Sequence, residues 1–434
     1  MSAFTDFAKR ISPLDAIVRR PPGLYQHYRQ QLRFEDTLDI CERRALQGER
    51  VENTIAQARK AAHYRDLPAG TTLRELPILE KQDIRRHGEA MRPAGMRLAA
   101  RAVTSGSTGV PLVLWRSPAC VAYEQATVDH LISMAGFDPL NARVLLMRAD
   151  TFKHPDDTSP PYGRQITRTR AALSAQHLHG GTFAAYSEFI EAFRPDFLFV
   201  YSATFDLLLR LMEQQRTGLR IPLVMTSCEV PASDLRARAA RQLGAVMLDY
   251  YGQAERVACA YSLTDGEYWL RPGYGAVEFL RGDDGMEIVA TGLRNGAQML
   301  LRYRTGDVAG VDDDASEERL EEIALGMRHF RGISGRTSEY LVLEDGSRVV
   351  GLNHIVRDVR GIASAQILQK DFDFIELVVV PASDFDESSI ATIKARLEKK
   401  VPSRVRYSIR LTETPCRTRA GKAPLFFSEL EPAP

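Results

Sequence analysis

The residues that could do chemistry begin with a short loop rich in hydroxyls and glycines, TSGSTG. It comprises Thr104, Ser105, Gly106, Ser107, Thr108 and Gly109. The two glycines permit left-handed backbone angles and close approach to an anion, and the hydroxyls add donors between successive N–H groups. This pattern predicts a phosphate-binding loop, although the lysine and the spacing of a Walker loop are absent. By itself the hexamer also fits a flexible turn.

Other familiar chemistries find little support in the sequence. There is no Gly-x-Ser-x-Gly motif to mark a hydrolase nucleophile, and the 9 histidines lack the spacing of metal ligands. The 5 cysteines are far apart and odd in number, so they indicate neither a disulfide framework nor a zinc site. A reducing cytoplasm fits this cysteine usage best.

The charge balance argues against several classes of partner. The 57 Lys and Arg nearly cancel the 56 Asp and Glu among 434 residues, so no overall field favours nucleic acid or an anionic membrane. No apolar run approaches the length of a transmembrane helix, and the N-terminus lacks the apolar segment of a secretory signal. We expect a cytoplasmic protein of at least two domains, without nucleic-acid or membrane partners.

The elements that must position the loop appear in the middle of the chain. Apolar runs at 197–201, 223–226 and 246–250 predict buried strands, and the segments between them have helical periodicity. This alternation predicts βαβ units and a parallel sheet. Residues 268–304 instead predict antiparallel strands around a Gly-Asp-Asp-Gly turn at 282–285.

The pattern of elements starts again after residue 335. The predicted elements are a hairpin at 344–347, strands near 363–369 and 374–380, a helix over 388–401 and a strand at 405–411. They form a compact α+β domain of ordinary size. The predicted fold class is therefore α/β, with a large N-terminal domain (1–335) containing the parallel βαβ sheet plus antiparallel strands. A hinge joins it to the small α+β C-terminal domain (336–434).

Six motifs in chain order resemble those of a known family. After the 104–109 loop come Ser227-Cys-Glu229-Val-Pro231, Asp249-Tyr-Tyr251-Gly252-Gln-Ala-Glu255, Arg302-Tyr-Arg-Thr-Gly-Asp307, Gly335-Arg336-Thr-Ser-Glu339 and Arg417-Thr-Arg-Ala-Gly-Lys422. Together they resemble the adenylate-forming superfamily, which includes acyl-CoA ligases and carrier-protein-loading adenylation domains. The stretch LPILEKQD at 76–83 is similar to the phenylacetate–CoA ligase-like branch.

The resemblance implies an AMP-binding N-terminal domain and a role for individual residues. Lys422 would bridge the substrate carboxylate and the α-phosphate, and Glu255 would hold Mg²⁺, which makes both catalytic. Besides the 104–109 loop, the nucleotide would contact Glu229, Asp249, Tyr250, Tyr251, Gly252, Asp307 and Arg336. Tyr251 would stack on adenine, Asp249 would meet the adenine amino group and Asp307 would bind the ribose hydroxyls. The hinge would lie at Ser338 and Glu339.

The same resemblance implies the reaction and leaves its acceptor open. ATP would activate a small carboxylic acid as an acyl-AMP, and coenzyme A, a carrier-protein phosphopantetheine or an amine would then take the acyl group. The acid would lie against Tyr201, Ser202, Ala203, Ser227 and Ala254. These residue types fit an aromatic or otherwise apolar acid at the carboxyl edge of the parallel sheet. A homodimer is also expected, since dimers are common in the phenylacetate branch.

Three positions depart from the family pattern. Leu112 stands where many members have a lysine, Ala254 replaces the threonine before Glu255, and Ser338 replaces the hinge aspartate. The phosphate loop would then position phosphates, leaving most of the positive charge to Mg²⁺ and Lys422. These losses motivate the rival hypothesis of a catalytically degenerate nucleotide-binding protein on the same scaffold.

Overall fold

The computed structural model describes residues 17–96, 98–103, 112–148, 157, 159–175, 177–227, 230–282, 285–334, 341–344, 348–349, 352–356, 359–417 and 423–430. The α-helices in these ranges are α1 Leu24–Thr37, α2 Ile40–Ala58, α3 Lys81–His87, α4 Pro118–Met134, α5 Phe183–Phe193, α6 Ser202–Gln215, α7 Leu235–Leu243, α8 Glu317–Ala324, α9 Asn353–Val356 and α10 Glu387–Lys400. In the part of the chain described, no helix combines the length and the apolar character needed to cross a membrane.

The strands in the same ranges are β1 Ala100–Val103, β2 Val113–Arg116, β3 Val144–Met147, β4 Gly163–Thr167, β5 Arg170–Leu173, β6 Phe197–Tyr201, β7 Leu223–Ser227, β8 Val246–Gly252, β9 Cys259–Thr264, β10 Glu267–Leu270, β11 Gly275–Gly282, β12 Gly285–Gly292, β13 Tyr303–Ala309, β14 Ile333–Ser334, β15 Leu341–Val342, β16 Arg348–Val349, β17 Ile362–Asp371, β18 Phe374–Pro381, β19 Arg406–Leu411 and β20 Phe426–Ser428.

The chain folds into two compact units. Among the described residues, the first unit contains 17–103, 112–142 and 248–333, and the second contains 143–247 and 334–430. The predicted division at 335/336 and the hinge residues fall in a segment outside the described residues. The domain boundary therefore stays a prediction.

Antiparallel strands dominate the first unit. Strands β11, β12 and β13 pair in that order, and the β11–β12 hairpin closes at Gly282 and Gly285, as predicted. Strands β9 and β10 form a second hairpin beside β8. Strands β1 and β2 pair antiparallel with Val103 opposite Val113, so they flank the 104–109 loop. This ribbon places Val103 and Val113, which flank the loop in the chain, opposite each other.

Helix α4 is buried on most of its sides within the first unit. Its buried residues are Cys120, Ala122, Tyr123, Ala126, Thr127, Asp129, His130, Leu131 and Ile132. Polar contacts tie it to α1, because Asp129 accepts from Tyr25 at 2.7 Å and the His130 ring lies 2.5 Å from Asp36. Asp36 also accepts from Arg271 at 2.6 Å. The helix is therefore held by charged partners as well as by apolar packing.

Replacing Asp36 with asparagine is expected to destabilise the protein by about 1–3 kcal/mol near neutral pH, because two charge-assisted hydrogen bonds are lost. Burial alone would raise the pKa of Asp36, but His130 and Arg271 outweigh it and lower that pKa. The carboxylate therefore stabilises the fold above the unfolded-state pKa, and this stabilisation is lost as the pH falls through the lower folded-state pKa. Melting temperatures at pH 7 and at about pH 2.5, below the ordinary aspartate pKa of about 3.9, should show a gap from wild type that narrows in acid.

A matched control for this variant is Glu321→Gln. Glu321 pairs with Arg44 at 2.6 Å, but both side chains are more than 40% exposed. Exposed pairs contribute little, so this variant should melt within about a degree of wild type. Equal losses for Asp36→Asn at both pH values would contradict the assigned ion-pair role.

The second unit contains the predicted parallel sheet. Strands β7, β6, β3 and β5 are parallel in that order, and β4 adds antiparallel at the edge. Helix α6 connects β6 to β7, which confirms the βαβ pattern. Alternate residues of β3 and β6 pack with α5, α6 and α7 in one apolar core. The carboxyl ends of β6 and β7 are adjacent, with Tyr201 opposite Ser227.

The C-terminal segment of the second unit has its own sheet. Its strand order is β19-β18-β17-β20, with β17 and β18 antiparallel and both outer pairs parallel. Helix α10 packs on it through Ile393 and Leu397. The predicted strands and helix of this α+β region are confirmed, and β20 is an unpredicted addition. Strands β15 and β16 pair antiparallel on either side of the predicted hairpin turn, most of which lies outside the described residues. The chain is an α/β protein with parallel and antiparallel sheets and a smaller C-terminal α+β region, as predicted.

Candidate functional site

Several predicted site residues lie outside the described residues. They are Thr104, Ser105, Gly106, Ser107, Thr108, Gly109, Glu229, Arg336, Ser338, Glu339 and Lys422. The described ones fall into a group in the first unit, around the end of β8, and a group in the second unit, around the ends of β6 and β7.

Asp249 lies on β8 and is only 4% exposed. Its Oδ2 accepts a short hydrogen bond from the Tyr268 hydroxyl. Tyr268 belongs to β10, in the hairpin that runs beside β8. The carboxylate predicted to meet an adenine amino group is therefore oriented by a tyrosine from β10, two strands away in the sheet.

The structure brings Tyr251 and Asp307 together. The Tyr251 hydroxyl donates to Asp307 Oδ2 at 2.7 Å, and Gln253 Nε2 donates to the same hydroxyl. Burial, followed by the nearby Asp307 carboxylate, raises the pKa of Tyr251 well above its ordinary value. Tyr251 is thus a neutral donor at all physiological pH values. Its hydroxyl holds the carboxylate that is predicted to bind the ribose. The predicted stacking of Tyr251 on adenine did not include this hydrogen bond.

Strand β13 positions two of the predicted carboxylates, those of Glu255 and Asp307. Its residues Tyr303, Thr305 and Asp307 share one face, because strand side chains alternate. The Tyr303 hydroxyl donates to Glu255 Oε1 at 3.0 Å, while Thr305 Oγ1 accepts from the Asp307 amide at 3.1 Å. Glu255 and Asp307 are each 7% exposed. One strand face therefore orients an acidic group from each of two sequence motifs.

The donor set at Glu255 fits a magnesium ion of the kind that the family implies. Mg²⁺ is commonly held by one or two carboxylates together with waters and substrate phosphates. An ionised carboxylate can accept more hydrogen bonds or metal contacts than the single bond from Tyr303 uses. Tyr303 fixes its orientation from outside, as groups behind metal ligands do. Within the described ranges, no cluster of three His, Cys, Asp or Glu side chains suits a metal, so Glu255 would act with phosphate oxygens.

Tyr250 faces a different set of partners from Tyr251. Its hydroxyl donates to Glu124 Oε1 at 3.0 Å, and burial is the main cause that raises its pKa well above the ordinary value. A Cβ atom at Gly252 would come within 2.8 Å of the Tyr250 ring. Glycine is needed there because the tyrosine folds back over the backbone. Tyr250, predicted to contact the nucleotide, is thus packed into the first unit.

Three residues near the segment that contains Glu255 belong to none of the six motifs and were not predicted from the sequence. They are Arg116, Glu124 and Arg256. Arg116 Nη2 donates to the Ala254 carbonyl at 2.7 Å, and Arg256 pairs with Glu124 at 3.1 Å. Burial, and then the Arg256 charge, lower the pKa of Arg116 to about 10, which leaves it protonated at neutral pH. An arginine after an apolar strand and a glutamate within a helix offer no distinguishing pattern. Only the fold shows that they converge on the segment carrying Glu255.

In the second unit, the predicted acid-binding residues are neighbours. Tyr201 ends β6, Ser202 and Ala203 begin α6, and Ser227 ends β7 directly opposite Tyr201. The Arg148 guanidinium lies 4.9 Å from the Tyr201 ring centroid and 4.0 Å from that of Phe199. The carboxyl edge of this sheet therefore combines aromatic faces and hydroxyls with the Arg148 guanidinium. Ala254, the remaining predicted acid-site residue, lies in the first unit beside Glu255.

Arg417 links the last motif to this edge of the sheet. Its Nη1 donates to Thr204 Oγ1 at 2.7 Å, and Thr204 lies in the first turn of α6. Arg417 opens the stretch that ends at Lys422. The motif that contains the predicted catalytic lysine therefore starts beside Tyr201, Ser202 and Ala203.

Comparisons with known proteins agree with this geometry at the level of fold. No family model and no curated protein matches the chain. Among solved structures, 2-hydroxyisobutyryl-CoA ligase with 2-HIB-AMP in the postadenylation state superposes with a TM-score of 0.57 at 15% identity, covering 91% of this chain and 90% of that one. The same ligase with R3-HIB-AMP gives a TM-score of 0.56 over the same coverage, again at 15% identity. With 2-HIB-AMP and CoA in the thioesterification state the score is 0.50 at 16% identity, with 91% of both chains covered.

These similarities show the fold of the chain. The chain has the fold seen in the 2-hydroxyisobutyryl-CoA ligase structures. The resemblance inferred from six short motifs is confirmed at that level. The phenylacetate–CoA ligase-like branch stays a prediction.

Proposed function

We propose that this protein uses ATP to activate a carboxylic acid as an acyl-AMP and then transfers the acyl group to the thiol of coenzyme A. The observation that carries the proposal is the face of β13, where Tyr303 orients Glu255 and Asp307 holds Tyr251. A carboxylate suited to a divalent cation and another suited to a ribose are the acidic groups that binding of Mg·ATP calls for.

In the first step, a carboxylate oxygen of the substrate attacks the α-phosphorus of ATP and the bond to pyrophosphate breaks. The 104–109 loop would hold the phosphates, Asp307 the ribose, and Lys422 the charge that develops between carboxylate and α-phosphate. Mg²⁺, when bound at Glu255, would neutralise phosphate charge. The contact of Arg417 with Thr204 supports this role for Lys422, since it starts the lysine motif beside the predicted acid site.

In the second step, the sulfur of the thiol attacks the acyl carbon of the adenylate. AMP leaves with the bonding electrons, and the thiol proton passes to solvent. AMP is a good leaving group, so this step needs no further nucleophile from the protein. The family resemblance implies that the C-terminal domain rotates between the two steps, which would withdraw Lys422 and admit the thiol.

We further propose an aromatic acid as the substrate. The support is the edge of the sheet where Phe199 and Tyr201 present aromatic rings with Arg148 stacked against both. Aromatic faces favour aromatic ligands, and a guanidinium nearby favours an anionic one. The phenylacetate-like stretch at 76–83 agrees with this class of acid, and a homodimer in solution belongs to the same proposal.

ATP–pyrophosphate exchange over a panel of aryl, alkyl, hydroxy and amino acids tests the proposal. Exchange should depend on the added acid and should be fastest with an aryl acid. Exchange restricted to amino acids would overturn the aromatic substrate, and no exchange with any acid would overturn adenylation. Product masses after adding coenzyme A, a phosphopantetheinylated carrier protein or an amine then identify the acceptor.

A second candidate function is nucleotide binding without catalysis. The observation that favours it is Leu112, which is 1% exposed and packs in the core of the first unit, so the position offers no charge to phosphates. Binding of ATP without exchange, unaltered by Lys422→Ala, would establish this alternative.

A further inference from the structure

A buried polar cluster in the first unit surrounds Glu124, near the middle of α4. Its Oε1 accepts from Tyr250 at 3.0 Å, and its Oε2 accepts from Tyr274 and lies 3.1 Å from Arg256 Nη1. The Glu124 side chain is 16% exposed and that of Arg256 is 9% exposed. Both carboxylate oxygens are therefore engaged by groups that come from far along the chain. The two tyrosines donate hydrogen bonds to the carboxylate, whereas Arg256 contributes an ion pair.

Arg256 is also in an unusual backbone conformation. Its φ is 57°, in the left-handed region that L residues other than glycine, asparagine and aspartate seldom adopt. Such a conformation persists only where the surroundings hold it. The Arg256 amide donates to the Gln253 carbonyl at 3.1 Å, and the ion pair with Glu124 anchors the Arg256 side chain. The left-handed turn comes directly after Glu255. The backbone direction on the C-terminal side of Glu255 thus depends on Arg256 and its partner.

The N-terminal side of Glu255 is restrained by a second arginine. Arg116, at the end of β2, donates to the carbonyl of Ala254 at 2.7 Å. Tyr250, on the strand that leads into the loop, is tied to Glu124 as well. Residues before and after Glu255 are therefore anchored to β2 and α4. The carboxylate itself contacts Tyr303 rather than either arginine.

We propose that Glu124 is a positioning residue that sets the direction of the Glu255 carboxylate toward a divalent cation, acting through Arg256. The inference rests on the proposed function for the cation's use with ATP, but it concerns this chain's own geometry. Removal of Glu124 leaves Arg256 buried without its carboxylate and takes away one of the anchors of the turn that follows Glu255.

The test measures Mn²⁺ binding by electron paramagnetic resonance in the presence of α,β-methylene ATP, which blocks adenylation. Glu124→Gln should weaken Mn²⁺ binding by about tenfold or more, the usual effect of losing a group that orients a metal ligand. In exchange assays, the same variant should need about tenfold more Mg²⁺ for half-maximal rate and regain most of the rate at saturating Mg²⁺.

The matched control is Asp129→Asn on the same helix. Asp129 is 1% exposed and accepts from Arg20 and Tyr25, so its loss should destabilise the fold comparably. It has no contact with the Glu255 loop among the hydrogen bonds of the described residues, and Mn²⁺ affinity should stay within about twofold of wild type. A double variant, Glu124→Gln with Arg256→Gln, removes the unpaired charge and keeps the test available if the single variant does not fold. It should fold and still bind Mn²⁺ weakly.

Unchanged Mn²⁺ affinity in folded Glu124→Gln or in the double variant would overturn the positioning role. Failure of this positioning role can be distinguished from failure of the proposed function. Wild-type protein that binds Mn²⁺ with the analogue but exchanges pyrophosphate with no acid refutes adenylation and still allows the variants to be compared. Wild-type protein that binds no Mn²⁺ with the analogue would overturn both.

Discussion

Lys422→Ala is expected to lower the rate of acid-dependent ATP–pyrophosphate exchange by about 100-fold or more, with a small change in the KM for ATP. A compact ammonium placed between the carboxylate and the α-phosphate acts mainly where charge builds up in the displacement. Its loss therefore lowers kcat. Initial rates over a matrix of ATP and acid concentrations separate the two constants.

The control for this variant is Lys399→Ala. Lys399 lies in the last turn of α10, in the same C-terminal region, and is exposed. Its loss should leave exchange within about twofold of wild type, as is usual for exposed surface positions. If Lys422→Ala retained most of the exchange activity, the assignment of the catalytic lysine would be wrong. If the wild type and Lys422→Ala both bound ATP and neither catalysed exchange, the non-catalytic alternative would be favoured.

The order of the motifs and the apolar runs illustrate what the sequence could predict. Hydroxyl and glycine spacing at 104–109, and the order of six motifs, indicated a superfamily whose fold the structure confirms. The buried strands at 197–201 and 223–226 were equally accessible, since central parallel strands appear as uninterrupted apolar runs. These features are local in the chain. They need only a few consecutive residues to be visible.

Helix α4 shows why the rest could not be predicted. Its 17 residues are buried on most sides, so no single apolar stripe separates a core face from a solvent face. The partners of Glu124 lie 126 and 150 residues away, at Tyr250 and Tyr274. A glutamate with such distant partners is indistinguishable in sequence from a solvated one. The cluster behind Glu255 could therefore be found only from the fold.

Tyr251 shows the same limit within a recognised motif. Its residue type predicted a face for adenine, while the structure adds a hydrogen bond from its hydroxyl to Asp307, 56 residues away. The motif predicted which residues gather at the site. It carried no information about which atoms of those residues contact one another.

The second large effect is expected on nucleotide binding, when Asp307, the partner of Tyr251, is replaced. Asp307→Asn is expected to raise the KM for ATP by about 10- to 100-fold, because hydrogen bonds from ribose hydroxyls to an ionised carboxylate are replaced by weaker ones to an amide. Asparagine keeps the shape of the side chain and can still accept from Tyr251, so the fold should be preserved. Equilibrium binding of a fluorescent AMP analogue provides a readout independent of catalysis.

Tyr251→Phe separates orientation of the carboxylate from its charge. The variant removes the 2.7 Å hydrogen bond to Asp307 but leaves the ring and the carboxylate in place. A loss of about two- to tenfold in AMP-analogue affinity is expected, the size of one hydrogen bond to an otherwise intact site. Asp312→Asn, three residues beyond β13 and 44% exposed, is the matched control and should bind normally.

The ranking of these variants is the informative result. If Asp307 binds the ribose and Tyr251 only orients it, Asp307→Asn must weaken AMP-analogue binding more than Tyr251→Phe does. Equal losses would indicate that adenine stacking or the hydroxyl of Tyr251 contributes as much as the carboxylate. Normal binding by Asp307→Asn would place the ribose elsewhere, and Asp307 would then be a structural acceptor for Tyr251 on the β13 face.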